Sequence, residues 1–296
     1  MLMQIDPNQL AALCAILRSG SFDQAAADLR VTPSAVSQRV KALEDRMGAT
    51  LVQRGPPAQA TPLGRRLAKH AEDVSLLEAQ LARDLSPQQG DNLTTVRFAL
   101  PADSLGTWVI PALAAVPDLS FDLVIDDQDH SADWLRRGAV NAAITSRAAP
   151  VTGHDSIPLG SLRYIATASP VFATRWFAKG LSAETFARAP MMTFNQKDQL
   201  QHRWIKTLTG RKLSPPKHVL PSTHAFVDGA LAGLGWGMNP EPLVRHHIAS
   251  GALVALAPDL PLDTPLYWQV SRIMAPALAP LTNAIKRAAR LALIPH

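Results

Sequence analysis

Ser34, Ser37, Gln38 and Lys41 follow one another at steps of three, one and three residues, which sets two hydroxyls, a carboxamide and an ammonium on one face of a helix. Groups of these types reach base edges and phosphates in the major groove of DNA. On an isolated helix such a face is simply solvated. Two features favour DNA here: a tight turn precedes the helix, and no outward acid comes before Glu44. Arg54 and Arg65 flank the same region, placed to meet a phosphate backbone or a minor groove. Arg65 and Arg66 would also suit an ordinary helix surface.

A second set lies farther along the chain: Asp103 and Ser104, Thr145 and Ser146, Asn195, and Thr223 with His224. Each stands just past an expected strand or opens an expected helix. Ligands of open α/β sheets bind beyond the carboxyl ends of strands, often against helix N-termini. Ser104 and Ser222 also have the simpler role of N-caps. Convergence of the set on one cleft is the stronger argument for an effector site.

The elements that must position these residues are well punctuated. Asp6-Pro7 is a cap followed by a proline at the first helical position, and Leu10, Leu13 and Leu17 give the buried stripe of a helix that Gly20 ends. Ser21-Phe22-Asp23-Gln24 is a capping box opening a short helix over 23–29. The small Ala25, Ala26 and Ala27 let a third helix approach it closely, as a helix-turn-helix needs. Thr32-Pro33 starts that third helix, with Val36, Val40, Leu43 and Met47 facing inward. Residues 51–54 and 59–61 are short extended pieces around Gly55-Pro56-Pro57-Ala58, the composition of a wing. From 62 to 85 a helix runs without a breaker. Leu67, Val74 and Leu81 repeat every seven residues along it, as do Leu63, His70 and Leu77, with His70 read as packing within the seam. Two apolar rows on a polar helix need a partner helix, which a second copy of the chain supplies.

Ser86-Pro87-Gln88-Gln89-Gly90-Asp91-Asn92 reads as a hinge. Beyond it, strands are expected at 96–100, 121–125 and 139–145, with helices at 104–113 and 131–137 between them. A second set follows, with strands at 164–168, 191–194, 218–220 and 236–238 and helices at 170–177, 199–208 and 223–232. A strand at 266–270 and a helix at 277–291 return to the first set. This alternation predicts two α/β lobes with a cleft between them. The expected domains are a winged helix-turn-helix over 1–61, a linker helix and hinge over 62–91, and an effector-binding domain over 92–296. Within the last, lobe I takes about 92–162 and 266–296, and lobe II about 163–265.

Composition narrows the function classes. The 296 residues, 47% of them apolar, suit two or three domains. No apolar run is long enough to span a bilayer, and Asp6 interrupts the N-terminus before a signal-peptide core can form, so a cytoplasmic protein with no membrane partner is expected. The single cysteine, Cys14, falls among leucines at helical spacing and reads as core. The net charge is +5, and from Arg30 to Lys69 eight basic residues face only two acidic ones, which confines the positive field to one segment. There is no Gly-rich phosphate loop, no nucleophile elbow and no histidine pair at metal spacing, since the adjacent His246 and His247 should face different ways. No catalytic or metal site and no cofactor is expected, and an enzyme is disfavoured.

The stretch from Phe22 to Glu44, with Thr32-Pro33-Ser34-Ala35-Val36-Ser37-Gln38-Arg39 at its centre, resembles the signature of LysR-type transcriptional regulators. Leu51 to Arg54 and Thr61-Pro62-Leu63-Gly64 resemble that family's wing and linker-helix start, and the likeness continues along the whole chain. The phrase Ala102-Asp103-Ser104-Leu105 before Thr107-Trp108, together with Tyr267-Trp268, looks most like the ArgP/LysG-type subgroup. That resemblance implies an N-terminal all-α winged helix-turn-helix with a long linker helix, and a C-terminal two-lobed α/β domain resembling periplasmic binding proteins. It implies a sequence-specific DNA-binding regulator of an exporter gene, with lysine or arginine as effector. Where the subgroup carries acids this chain has Asn195 and His224, whereas Asp103 is retained. The resemblance therefore implies a partner for an amino-acid ammonium but fewer counter-charges for a side-chain cation. Stalk and cleft together suggest a homodimer, paired again into a homotetramer on double-stranded DNA, whose effector changes DNA bending and recruitment of RNA polymerase. Two other readings stay open: a ligand-independent architectural DNA-binding protein, and a regulator with a non-basic effector.

Overall fold

The computed structural model describes residues 5–85 and 93–295. The hinge expected at 86–92 lies outside the described residues.

The N-terminal unit is α1 (Pro7–Ser19), α2 (Phe22–Leu29), α3 (Pro33–Met47), the short strands β1 (Val52–Gln53) and β2 (Gln59–Ala60), and α4 (Pro62–Leu85). Each helix start follows from its cap: Asp6 accepts from Asn8 N, Ser21 from Gln24 N, and Thr32 from Ala35 N. Leu10, Leu13, Ile16, Val36, Val40, Leu43, Leu51 and Leu67 make one core around the alanines of α2. The wing closes by antiparallel pairing of Val52 with Ala60 and Gln53 with Gln59.

Helix α4 serves both halves of the protein. Leu67 is buried in the N-terminal core, and Leu76 is buried in the core of the following domain. Lys69 bridges the two, pairing with Asp73 and donating to the Asn141 side chain. Leu77, Leu81 and Leu85 remain exposed on one stripe. His70 is exposed too, so within one protomer it packs against nothing that buries it.

The C-terminal domain contains β3 (Thr94–Leu100), α5 (Ala102–Ser104), a π-helical turn (Leu105–Val109), α6 (Ile110–Ala114), β4 (Leu119–Ile125), α7 (Ser131–Arg136), β5 (Ala142–Thr145) and β6 (His154–Ala168). It continues with α8 (Pro170–Phe177), α9 (Ala183–Arg188), β7 (Met191–Thr193), α10 (Leu200–Thr209), β8 (Lys217–Val219), α11 (Thr223–Leu231), β9 (Gly237–Pro240), α12 (Glu241–Ala249), β10 (Val254–Ala255), β11 (Leu262–Ser271) and α13 (Ala279–Ala292). Strands run in the order β10-β6-β11-β5-β3-β4, with β9 also paired to β6, while β7 and β8 form a separate parallel pair. The β3, β4 and β5 neighbours are parallel, as strands joined by helical crossovers must be.

The two lobes are stitched by β6 and β11. Strand β6 starts ten residues before the expected 164 and contains Pro158 and Gly160, residue types depleted in strand interiors. Gly160 has φ +121°, and a Cβ there would lie 2.7 Å from the Ile294 carbonyl oxygen, so glycine lets the chain after α13 close against the strand. The ladder between β6 and β11 shifts register at the same place, between Leu266 and Tyr267. Helices α9 and α12 were outside the expected set. Helix α9 opens on a Ser182–Thr185 capping box, with threonine where glutamate or glutamine is the recognisable partner. The helix expected over 104–113 is broken by its π turn. Pro111, one turn on, has no N–H to return to the preceding carbonyls, and the Thr107 hydroxyl donates to Asp103 O at 2.5 Å.

Candidate functional site

Two sites emerge, one on each half. At the first, the tight turn between α2 and α3 is made by Arg30 in the left-handed region (φ 55°), and its N–H returns to Ala26 O and Ala27 O. Ala25 and Ala26 are buried, so the two helices pack closely. Ser34, Gln38 and Lys41 are exposed on α3 and Ser37 is half-buried beside them. Glu44 does not add a negative charge to this face: its carboxylate accepts from Leu51 N at 2.7 Å and Val52 N at 3.2 Å, latching α3 to the wing. The Arg54 guanidinium sits 5.3 Å over the Phe22 ring, which fixes its stem at the wing edge. Arg65 donates to Ala60 O at 2.7 Å and so is tied to the wing strand. Cys14 packs beneath, its sulfur 3.9 Å from Ala68 O, with burial pushing its thiol up to about 11.

The second site is a cleft, open at its mouth, where Pro101–Asp103, Asp126–Gln128 and Met238 meet Phe194, Asp198, Gln201, Thr223 and Phe226. Asp103 joins the lobes. Its Oδ1 accepts from the Thr223 hydroxyl at 2.6 Å and its Oδ2 from the Tyr164 phenol at 2.8 Å. Burial pushes the Asp103 carboxyl up, the two hydrogen bonds pull it back, and the charge of Asp198 raises it further. Asp127 is raised by burial as well. The Tyr164 phenol stays protonated, held well above its ordinary value by burial and by Asp103.

Four carboxylates thus line the cleft, Asp103, Asp126, Asp127 and Asp198, with no lysine, arginine or histidine among the lining side chains. Each is held in place: Asp126 accepts from Trp134 Nε1 at 2.9 Å, Asp127 from Asp129 N at 2.9 Å, and Asp198 from both Phe194 N and Leu200 N at 2.9 Å. Like charges gathered in a partly desolvated cleft favour a cationic guest. Among the described residues no three His, Cys, Asp or Glu side chains are placed to hold a metal ion.

Of the residues expected here, Asp103 and Thr223 line the cleft, whereas Ser104, Thr145, Ser146, Asn195 and His224 do not. Several stand one layer behind. The Thr145 hydroxyl and the Ser146 N–H donate to the Gln128 carbonyl, both at 3.0 Å, and the Ser146 hydroxyl donates to Asp129, so they hold the Asp126–Gln128 turn. Asn195 accepts from Lys197 N at 2.7 Å and Asp198 N at 3.1 Å and shapes the turn that delivers Asp198. His224 packs toward Gly106 instead. Ser104 is not an N-cap: it lies inside the helical run that Pro101 precedes, with its hydroxyl buried and unpaired. Ser222 does cap α11, accepting from Ala225 N. Nor do His246 and His247 diverge; their rings lie 3.7 Å apart on α12. Asp126, Asp127 and Asp198 escaped sequence reasoning. The first two follow the carboxyl end of β4, where the strand-end rule would have found them.

The matches to known proteins agree with this architecture. Residues 7–65 match the family described as bacterial regulatory helix-turn-helix protein, lysR family, and residues 89–290 match the LysR substrate binding domain. The chain is 40% identical over 286 residues to the HTH-type transcriptional regulator LysG of Mycobacterium tuberculosis strain H37Rv, covering 97% of this chain and 94% of that protein. It is 40% identical over 282 residues to the HTH-type transcriptional regulator ArgP of Pseudomonas aeruginosa PAO1, covering 94% of each. Among solved structures, ArgP from M. tuberculosis superimposes with a TM-score of 0.81 at 39% identity, covering 99% of this chain and 100% of that one. Full-length LysG from Corynebacterium glutamicum with bound effector Arg gives a TM-score of 0.66 at 35% identity, over 98% of this chain and 100% of that one. These relatives are named as regulators of transcription, not as enzymes. With both family domains present in order and near full-length relatives at this identity, the chain belongs to the LysR family of helix-turn-helix transcriptional regulators.

Proposed function

We propose that this regulator senses a basic amino acid, arginine or lysine, in the cleft between its lobes, and that occupancy changes how it holds its operator. The observation that carries this reading is the lining of four carboxylates with no opposing cation. It offsets the acids that Asn195 and His224 do not provide: Asp126, Asp127 and Asp198 supply counter-charge from other positions. The arginine bound by the C. glutamicum relative is of the chemistry this cleft would select. In this reading Asp103 and Thr223 contact the effector, and Thr145, Ser146 and Asn195 position the loops that do. The test is thermal melting of the full chain with arginine, lysine, neutral amino acids and small metabolites. A ligand that binds only the folded protein raises the midpoint. A rise with a basic amino acid supports the reading, and a rise only with neutral or anionic compounds overturns it.

On DNA, Ser34, Ser37 and Gln38 would face base edges, and Lys41, Arg54 and Arg65 the phosphates and the wing-side groove. Lys41→Ala should weaken operator binding with the fold intact and lower the slope of log affinity against log salt by about one. An unchanged slope would remove Lys41 from the interface. The exposed stripe Leu77, Leu81, Leu85 would pair with its copy in a dimer. Sedimentation of Leu81→Arg should show monomers at concentrations where the parent chain is dimeric, with operator affinity down by roughly a hundredfold or more, since two half-sites are then no longer linked.

A second pairing into tetramers is supported by two unpaired sheet edges: β4 ends the seven-stranded sheet and β8 ends the small one. Ile125 and Val219, the last residues of these two edge strands, are exposed. Control of an exporter gene, recruitment of RNA polymerase and a cytoplasmic location complete the proposal. Among the described residues no helix is long and apolar enough to cross a membrane. An architectural protein without a ligand would leave the acidic cleft without a role.

A further inference from the structure

Gln201 is the second residue of α10 and forms part of the cleft wall. Its side chain is fully buried, yet neither Oε1 nor Nε2 has a hydrogen-bond partner. A carboxamide removed from water without partners costs free energy, and an apolar residue of the same volume would avoid that cost. Other buried polar side chains among the described residues also carry an unpaired atom, including Ser104, Trp108, Ser156, Trp236 and Asn239. Gln201 alone in that group has two side-chain polar atoms unpaired, and it alone lines the cleft.

Its neighbours give the pair of atoms a use. Asp198, three residues earlier, has both carboxylate oxygens engaged by the backbone amides of Phe194 and Leu200, so it offers charge more than free lone pairs. Gln201 supplies, from the same lobe, a neutral carbonyl that no donor within the protein engages. Helix α10 also reaches across to lobe I, where Arg203 lies 3.8 Å from Asp129. A guest held by Gln201 is therefore held by a helix that touches both lobes.

We infer that Gln201 is a specificity-determining residue of the effector site, its carbonyl accepting from an N–H of the effector's cationic head group. The inference rests on the reading of the cleft as the site for a basic amino acid. A cation whose N–H groups find this acceptor satisfies the orphaned amide on entry; a neutral aliphatic amino acid leaves it unpaired. Discrimination thus comes from the cost of an unmet polar group as much as from charge.

The experiment is isothermal titration of the full-length protein with L-arginine and with L-lysine, alongside melting of the unliganded chain, for the parent and for Gln201→Leu. Leucine removes the amide and keeps most of the volume. The expected result is a melting temperature of the unliganded variant equal to the parent's or higher, with affinity for the bound basic amino acid reduced about ten- to a hundredfold, the worth of a hydrogen bond to a charged group. Unchanged affinity overturns the inference. So does a lowered melting temperature without ligand, because it means the amide is satisfied within the fold. A parent chain that binds neither amino acid overturns the reading of the cleft itself, and the inference with it; a parent that binds while Gln201→Leu binds equally well overturns the inference alone.

Discussion

Gly64→Ala should unfold the junction between the wing and the linker helix, although in an ordinary helix the same change is stabilising by about 0.5–1 kcal/mol. The sign reverses because Gly64, in the first turn of α4, lies directly against Leu51, the residue before β1. A Cβ built at Gly64 falls 2.1 Å from the Leu51 carbonyl oxygen and 3.0 Å from its carbonyl carbon. That carbonyl cannot move away. It accepts from Thr61 N at 2.9 Å, and Leu51 N is pinned to Glu44 at 2.7 Å while the Leu51 side chain is buried in the core. The neighbouring Thr61 hydroxyl is also committed, donating to Thr50 O at 2.9 Å and accepting from Gly64 N at 3.0 Å. Making room for one methyl group means pulling α4 off β1 and breaking several of these bonds together. A cost of about 3 kcal/mol or more in the N-terminal unit is expected, at the upper end of overpacking effects. Operator affinity should fall by at least about tenfold, since α3 and the wing no longer share one frame. Gly55→Ala is the control: the nearest atom to its added Cβ is 3.9 Å away, and stability should change by no more than about 0.5 kcal/mol. Chemical denaturation of both variants decides it, and a Gly64→Ala chain as stable as its parent would show that α4 and β1 are not locked.

That close approach was not legible in the sequence, where Thr61-Pro62-Leu63-Gly64 shows only a cap and a helix start. Local chemistry was. Asp6-Pro7 and Thr32-Pro33 open helices where their caps and prolines require, and α4 keeps the bounds expected of an unbroken pattern, 62 to 85. The lobes were legible from alternating strands and helices, while their stitching was not. A proline and a glycine inside β6 look like an end, and only the packing of the segment after α13 shows that they mark a bend. The cleft shows the same division. Asp103 and Thr223 stand at element ends, which a strand-end rule can find. Gln201 sits inside an amphipathic helix, and nothing in the sequence separates it from a solvated glutamine. Asn195 and Thr145 carry the right chemistry at the right ends yet spend it on backbone groups. Which atoms remain free is decided by turns whose geometry no spacing encodes.

Asp103→Asn should reduce affinity for the basic effector by roughly a hundredfold or more, and should also flatten the acid side of its pH dependence. The variant keeps shape and most hydrogen bonding: an asparagine at 103 can still accept from the hydroxyl of Thr223 or Tyr164 while donating to the other. What it loses is the charge in the most enclosed part of the cleft. Removing one partner of a buried, hydrogen-bonded charge pair costs about 2–5 kcal/mol of binding. The pH argument follows from the direction of the shifts. Burial raises the Asp103 and Asp127 carboxyls in the unliganded protein, so each binds its proton more tightly folded than unfolded. Their contribution to stability is greatest in acid and is lost as pH rises through the raised values, leaving the folded protein at neutral pH with ionised carboxylates it would rather not bury. A bound cation relieves this cost and pulls the same carboxyls down, so binding releases protons wherever they are partly protonated. Affinity should therefore weaken on acidification at pH values above the ordinary aspartate range of about 4. Titration calorimetry across pH, in buffers of different ionisation enthalpy, reads proton release and affinity together. In the parent chain both should change on the acid side, and in Asp103→Asn the change should shrink to the part owed to Asp127. A parent affinity that stays flat from neutrality down to the ordinary carboxylate range would mean that these acids do not face the ligand, and the cation would have to be sought elsewhere in the cleft.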